Sequence, residues 1–150
     1  MIKFSLEDFT RPNMTDINTL SRDNWGEVSG GNNGELDVNW DQYLTLENAG
    51  IAYLFVARNE GKMVGYAIFV VLESIHNKGI FQATCTVMYI MPEHRKKGTG
   101  ARFIMFCQKF LTEANVDVII MSVKPTCDYS DSLLRMGYSK SETLYDMRLS

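Results

Sequence analysis

The stretch Ile90-Met91-Pro92-Glu93-His94-Arg95-Lys96-Lys97-Gly98-Thr99-Gly100-Ala101 turns an apolar strand directly into a helix through a basic, glycine-punctuated turn. Upstream, Cys85-Thr86-Val87-Met88-Tyr89-Ile90-Met91 is rich in β-branched and aromatic residues. Downstream, an apolar pattern at helical spacing runs from Ala101 to Ala114. Gly98 and Gly100 lack a Cβ, so the main chain there is free to bring first-turn N–H groups against a ligand. Those amides are the unsatisfied donors of a helix start, and the macrodipole adds partial positive charge. With Arg95, Lys96 and Lys97 beside them, the turn is suited to hold a pyrophosphate.

The nucleotide motifs that share this logic do not fit. A Walker loop needs a Gly-Lys-Ser/Thr ending, and a dinucleotide fingerprint needs G-x-G-x-x-G. A nucleotide-binding domain of another kind is the remaining alternative on that count. Arg95, Gly98 and Gly100 instead spell Arg/Gln-x-x-Gly-x-Gly/Ala, and with the preceding "YIMPEHRKKGTG" the run resembles the strand, turn and helix of the GNAT acetyltransferase superfamily. The resemblance implies acetyl-coenzyme A as cofactor, with its pyrophosphate on Arg95, Lys96, Lys97, Gly98, Thr99, Gly100 and Ala101. It also implies that the pantetheine arm runs along Tyr89, Ile90 and Met91, the Ile90 amide donating to the oxyanion.

The remainder of the chain agrees with that order of elements. Ile2–Leu6 alternates as a first strand, and Thr15–Trp25 reads as a helix capped by Thr15 or Asp16. Ser29-Gly30-Gly31-Asn32-Asn33-Gly34 is a loop, and Asp37 is placed to cap a second helix reaching Ala49, ended by Gly50. Ala52–Ala57 and Met63–Leu72 are strands joined by the turn Asn59-Glu60-Gly61-Lys62, and Ile80–Met91 comes next as a third antiparallel strand. Beyond the long helix, Val118–Val123 suits a sheet interior, Ser130–Met136 a short helix ended by Gly137, and Tyr138–Leu149 a last strand. The long helix is apolar along two lines, Ala101, Ile104, Leu111, Ala114 and Phe103, Phe106, Phe110, which predicts packing on more than one side. The fold expected is therefore α/β of the GNAT type, with a mixed, mostly antiparallel sheet flanked by helices.

Composition narrows the function. At 150 residues the chain suits one domain, 1–150, able to bury about two thirds of its unfolded surface. A formal net charge of −3 argues against nucleic acid as the main partner. No apolar run approaches the roughly 18 residues of a membrane span, and the interspersed charges Lys3, Glu7, Asp8 and Arg11 do not suit a secretion signal. A cytoplasmic location is the expectation, with Cys85, Cys107 and Cys127 as free thiols, no metal site, and homodimer formation left open.

Acetyl transfer to an amine needs proximity, a route for the amine proton, and a proton for the departing thiolate. Many relatives carry Glu four residues before the Ile90 position, where this chain has Thr86, and a Tyr four residues before the Gly137-Tyr138 ending, where it has Leu133. Tyr129, one helical turn upstream of Leu133, is the candidate acid. Glu73, at the end of the third strand, is preferred to Glu47 as a water-relayed base. His94 and His76 fit ligand contact or solvent better, and Cys127 has no His partner. Trp25, Trp40 and Tyr43 either line an acceptor pocket beside the Gly30–Gly34 loop or pack the helices onto the sheet. The reading is an N-acetyltransferase acting on a primary amine, either a small polyamine-like or aminoglycoside-like molecule or a protein amino group, by direct attack in a ternary complex. Its rival, prompted by Thr86 and Leu133, is a catalytically weak binding or inhibitory module on the same fold.

Overall fold

Glu60 and Gly61 both take positive φ, 50° and 81°, the geometry of a two-residue hairpin turn whose twist matches the strands it joins. In this computed structural model, which describes residues 1–28 and 36–150, that turn folds β2 (Ala52–Asn59) onto β3 (Lys62–Glu73) in antiparallel register. β1 (Ile2–Glu7) pairs antiparallel with β2, and β4 (Phe81–Ile90) antiparallel with β3. β5 (Val118–Ile120) adds to β4 in parallel, so five strands lie in chain order across one mixed sheet.

Period-two alternation sends neighbouring strand residues to opposite faces. Phe55, Phe69, Cys85 and Ala83 pack under α3 (Thr99–Glu113), which inserts Phe103, Cys107 and Leu111. Leu54, Val56, Tyr66, Ile68 and Tyr89 meet Ile17 and Leu20 of α1 (Arg11–Val28) and the apolar side of α2 (Trp40–Asn48). A short helix, α4 (Ser130–Arg135), comes after β5. The second apolar line of α3 is used on the sheet side: Phe106 and Phe110 reach Phe55 with ring centroids 6.2 and 5.5 Å away, edge to face. Its far side is open, with Met105 52% exposed, so no second layer covers this helix among the described residues.

Several boundaries differ from the sequence reading. The first helix begins at Arg11 rather than Thr15, because Thr10 Oγ1 accepts the Asn13 amide at 3.3 Å and Pro12 fits a first turn that needs no N–H. Asn39, not Asp37, caps the second helix, accepting from the Gln42 amide at 3.1 Å. The Gly30–Gly34 loop lies outside the described residues. The final strand expected over Tyr138–Leu149 does not form. Gly137, at φ 98°, turns the chain so that the Tyr138 amide returns to the Leu133 carbonyl. Beyond it Leu144, Tyr145, Met147 and Leu149 stay exposed, away from any strand they would pair with.

One polar cluster ties the first strand to the hairpin and helix. Arg58 grips the Glu7 carboxylate with two hydrogen bonds, Nε to Oε1 at 2.9 Å and Nη2 to Oε2 at 2.8 Å, and also reaches Asn13 Oδ1 at 2.8 Å. The Arg58 hydrogen bonds, with help from Ser5 and Asn13, hold the Glu7 carboxyl down at about 2 against an ordinary 4.5. A depressed carboxyl contributes stability above its unfolded value that is lost as pH falls through the folded one. Glu7→Gln should therefore cost about 1–2 kcal/mol at neutral pH. Denaturant melts should show the gap from wild type closing as pH drops from about 5 towards 2; a constant gap would refute the assignment.

Candidate active site

The open part of the sheet lies along β4. Its register with β3 pairs Ile68 with Val87 and then Phe69 with Cys85, so Thr86 is an extra residue, a bulge. β5 pairs only with Gln82, Ala83 and Thr84, which leaves the outer side of Thr86–Ile90 without a strand. The Met91 amide donates to Val64 O at 2.9 Å, so by antiparallel alternation Met91 and Tyr89 bond to β3, and Met88 and Ile90 turn their backbone groups outward. Of Tyr89, Ile90 and Met91, Ile90 alone presents its own amide to the gap. Its carbonyl is taken by Arg95 Nε at 2.7 Å.

Gly65, opposite Ile90, makes this close approach of strands feasible. A Cβ there would sit 2.7 Å from Tyr89 O and 3.0 Å from Ile90 Cγ1. Just past β4, a turn of 3-10 helix over Pro92–His94 leads to Lys97 and Gly98, consecutive residues at φ 57° and 71°. This double left-handed step reverses the chain into α3. Thr99 is buried and returns both its amide and its hydroxyl to the Lys96 carbonyl, at 3.3 and 2.7 Å, while Arg102 Nη1 takes the Lys97 carbonyl at 2.9 Å. The carbonyls one turn before Gly100 and Ala101 are thus engaged by other donors. Among the described residues no carbonyl accepts from those two amides. Nothing lies within 4 Å of where a Gly100 Cβ would be. Lys96 and Lys97 are exposed at the same place, whereas Arg95 folds back over the Tyr89 ring at 5.4 Å.

A cavity of about 1330 Å³ joins these features, running from Gly100 and Ala101 past Ile90 to Trp25, Trp40 and Tyr43. Trp40 and Tyr43 also pack against Phe9, tilted and stacked, with ring centroids 6.3 and 5.5 Å away, as the packing reading of these two expects. The sequence reading did not identify Thr86 as a contact. Its Oγ1 lies 3.0 Å from Tyr43 Oη and 3.3 Å from Ile68 O, and only the bulge, which has no local sequence signal, brings it there.

Tyr129 lines the cavity from the residue just before α4, its hydroxyl donating to Ser122 O at 3.3 Å. Burial, then neighbouring Cys85, Cys127 and Tyr138, push its phenol well up, so it stays protonated. Leu133 is core. Glu73 is not brought to Ile90. It lines the same cavity at its far end, pairing with Phe81 at the other end of the β3–β4 ladder, roughly 25 Å away at about 3.3 Å per residue, and caps the Gly79 amide at 2.6 Å. Glu47 is engaged too, accepting from the Phe9 amide at 2.8 Å. His76 is exposed in the turn after β3. Burial pushes the Cys85 thiol up to about 12 and the Cys107 thiol further, which makes both unreactive. Among the described residues no group of three His, Cys, Asp or Glu is placed to hold a metal, and no helix is long and apolar enough to cross a membrane.

A model of the acetyltransferase (GNAT) family matches residues 14–138. The chain belongs to the GNAT acetyltransferase family. No curated protein sequence matches it significantly. Among solved structures it is similar to the ribosomal-protein-alanine N-acetyltransferase of Brucella melitensis biovar Abortus 2308, with TM-score 0.80 and 16% identity over 100% of this chain and 99% of that one. It is also similar to the aminoglycoside acetyltransferase meta-AAC0020 from an uncultured soil metagenomic sample, in complex with sisomicin (TM-score 0.75, 19% identity, 99% and 95% covered). A predicted acetyltransferase from Clostridium acetobutylicum, solved with acetyl-CoA, gives TM-score 0.72 at 16% identity, covering 99% and 97%. Identities this low speak for the shared fold. Family membership makes the chain an N-acetyltransferase with acetyl-coenzyme A as its acyl donor.

The strand contact at Gly65 is open to test. Gly65→Ala drives a methyl into β4 backbone and should cost about 1–3 kcal/mol of stability. Because the displaced atoms belong to Tyr89 and Ile90, coenzyme A affinity measured by calorimetry should fall with it. A variant as stable and as tight-binding as wild type would show that the approach is not a constraint.

Proposed function

We propose that the chain transfers an acetyl group to a primary amine by direct attack, with donor and acceptor held together in the single cavity. The observation that carries this reading is the continuity of that cavity from the free amides of α3, past the outward-facing Ile90 amide, to the aromatic pocket. The residues present fit the donor: two unpartnered helix-start amides and the open space over Gly100 suit a diphosphate, and a strand edge without a partner suits an extended amide-bearing arm.

Acetyl-coenzyme A, when bound, supplies an acyl group activated as a thioester. Gly100 and Ala101 would bind the diphosphate through main-chain N–H, with Lys96 and Lys97 adding charge at the rim and Thr99 fixing the turn from beneath. Arg95 does its part indirectly: by engaging the Ile90 carbonyl it leaves the Ile90 N–H as the donor facing the acyl oxygen. Tyr129, neutral and on the wall of the gap, is the proton donor for the leaving sulfur. Trp25, Trp40 and Tyr43 shape the acceptor end. With no carboxylate near Ile90 among the described lining residues, the amine loses its proton to water in the open cavity.

Two measurements test this. Calorimetry should show coenzyme A binding to wild type and at least about tenfold weaker binding to Gly100→Val, whose side chain enters open space and leaves the fold intact. Thiol release from acetyl-coenzyme A with a panel of amines should fall about 10–100-fold in kcat for Tyr129→Phe. In the same assay Glu73→Gln should stay within about twofold of wild type. Cofactor binding with no release for any amine would favour a binding module instead.

A further inference from the structure

At the bulge, Thr86 has one hydroxyl proton and two oxygen neighbours. One is the Ile68 carbonyl, which only accepts, at 3.3 Å; the other is Tyr43 Oη at 3.0 Å. With the Thr86 proton on Ile68, the Tyr43 phenol must be the donor to Thr86. Its own oxygen then offers the cavity lone pairs only. Beside it, Trp40 Nε1 is already engaged, donating to Asn18 Oδ1 at 3.0 Å. The site therefore asks for a ligand that donates at Tyr43.

Charge decides what kind of donor. Over the described residues 36–57 the sequence carries Asp37, Asp41 and Glu47 and no Lys, Arg or His. Asp37 and Asp41 line a shallow neighbouring pocket that shares Val38, Asn39 and Trp40 with the cavity. The rings of Trp40 and Tyr43, 5.9 Å apart, and Trp25 across the cavity offer π faces to a cation. Arg95 lies at the donor end, and Lys124 is the other basic residue on the cavity wall among the described residues.

We propose that Tyr43 is the acceptor-positioning residue and that it selects a polycationic amine: one ammonium donates to Tyr43 Oη while further positive charge rests against the indoles and towards Asp37 and Asp41 of the adjoining pocket. Thr86 acts through Tyr43, by fixing the direction of its proton. The inference rests on the acetyl-transfer reading for its consequence, but the binding step is separable from it.

Trp25 and Trp40 are the only tryptophans of the chain and both line this cavity, so intrinsic fluorescence reports the event without catalysis. Spermidine should change the emission saturably, and triethylene glycol, of similar length and uncharged, should not. Tyr43→Phe keeps the ring and should weaken spermidine about tenfold. Its coenzyme A affinity by calorimetry should stay within about twofold. Thr86→Val frees the Tyr43 proton to turn inward and should weaken spermidine likewise, whereas Thr86→Ser should restore it. Unchanged spermidine affinity in Tyr43→Phe, a Thr86→Ser variant no better than Thr86→Val, or equal response to the glycol overturns the proposal. If wild type binds spermidine in this pattern yet takes no coenzyme A, the acetyl-transfer reading fails and this one stands.

Discussion

The early end of the parallel ladder between β4 and β5 governs the rest of the structure. Val118-Ile119-Ile120 pairs with Gln82-Ala83-Thr84, and then the strands part. A sheet interior normally leaves no backbone group unpaired, because burying one costs the free energy of a lost hydrogen bond. Here five residues of β4 keep a partner on one side only. The bulge at Thr86 adds twist at that point and re-aims the strand between Val87 and Ile90. One of the resulting outward groups, the Ile90 carbonyl, is satisfied by Arg95. The Ile90 amide has no partner among the described residues, and a strand edge that would elsewhere invite aggregation is lined by a cavity instead.

The turn after β4 converts this edge into a site. Lys97 is a non-glycine residue held in the left-handed region beside Gly98, a strain that persists only when its surroundings fix it. Thr99 does so from below, and Arg102 clamps the Lys97 carbonyl from the helix. These bonds take the carbonyls that an uninterrupted helix would have offered to Gly100 and Ala101. Their free amides are thus a consequence of how the turn is stabilised, and the macrodipole of fifteen-residue α3 gives them an electrostatic bias towards anions.

Legibility in the sequence tracks the presence of a local signal. Glu60-Gly61, the Arg95–Gly100 turn and the alternating strands declare themselves through backbone preference and period, and the order of elements comes with them. The start of α1 escapes a reading by period because Thr10 and Pro12 precede the first apolar repeat. Tyr145, Met147 and Leu149 alternate well enough to suggest a last strand, but they have no partner edge, and a strand exists only in a pair. Thr86 carries no signal at all, since a bulge depends on register with another strand. Glu73 is a different case. An antiparallel order already places the end of β3 beside the start of β4, so its remoteness from Ile90 is implicit in the predicted topology.

Thr86 also bears on how an amine becomes reactive. An acceptor-only oxygen at Tyr43 favours the protonated amine, while attack requires the neutral one. For an isolated alkyl amine with a pKa of about 10.4, only about one part in 2,500 is neutral at pH 7, equivalent to about 4.6 kcal/mol of barrier. A nearby carboxylate base, such as the Glu that relatives carry four residues before the Ile90 position, relieves part of that cost. A second ammonium on the same acceptor relieves it by another route: like-charge repulsion lowers the pKa of its neighbour. The effect is larger inside a cavity, where screening is weaker than in water. A polycation bound there would therefore bring with it some of the proton release for which no described lining residue beside Ile90 carries a carboxylate. On the proposed reading, a threonine at the bulge and an aromatic acceptor end belong together, because the charge of a polycationic substrate would take over part of the work of a base.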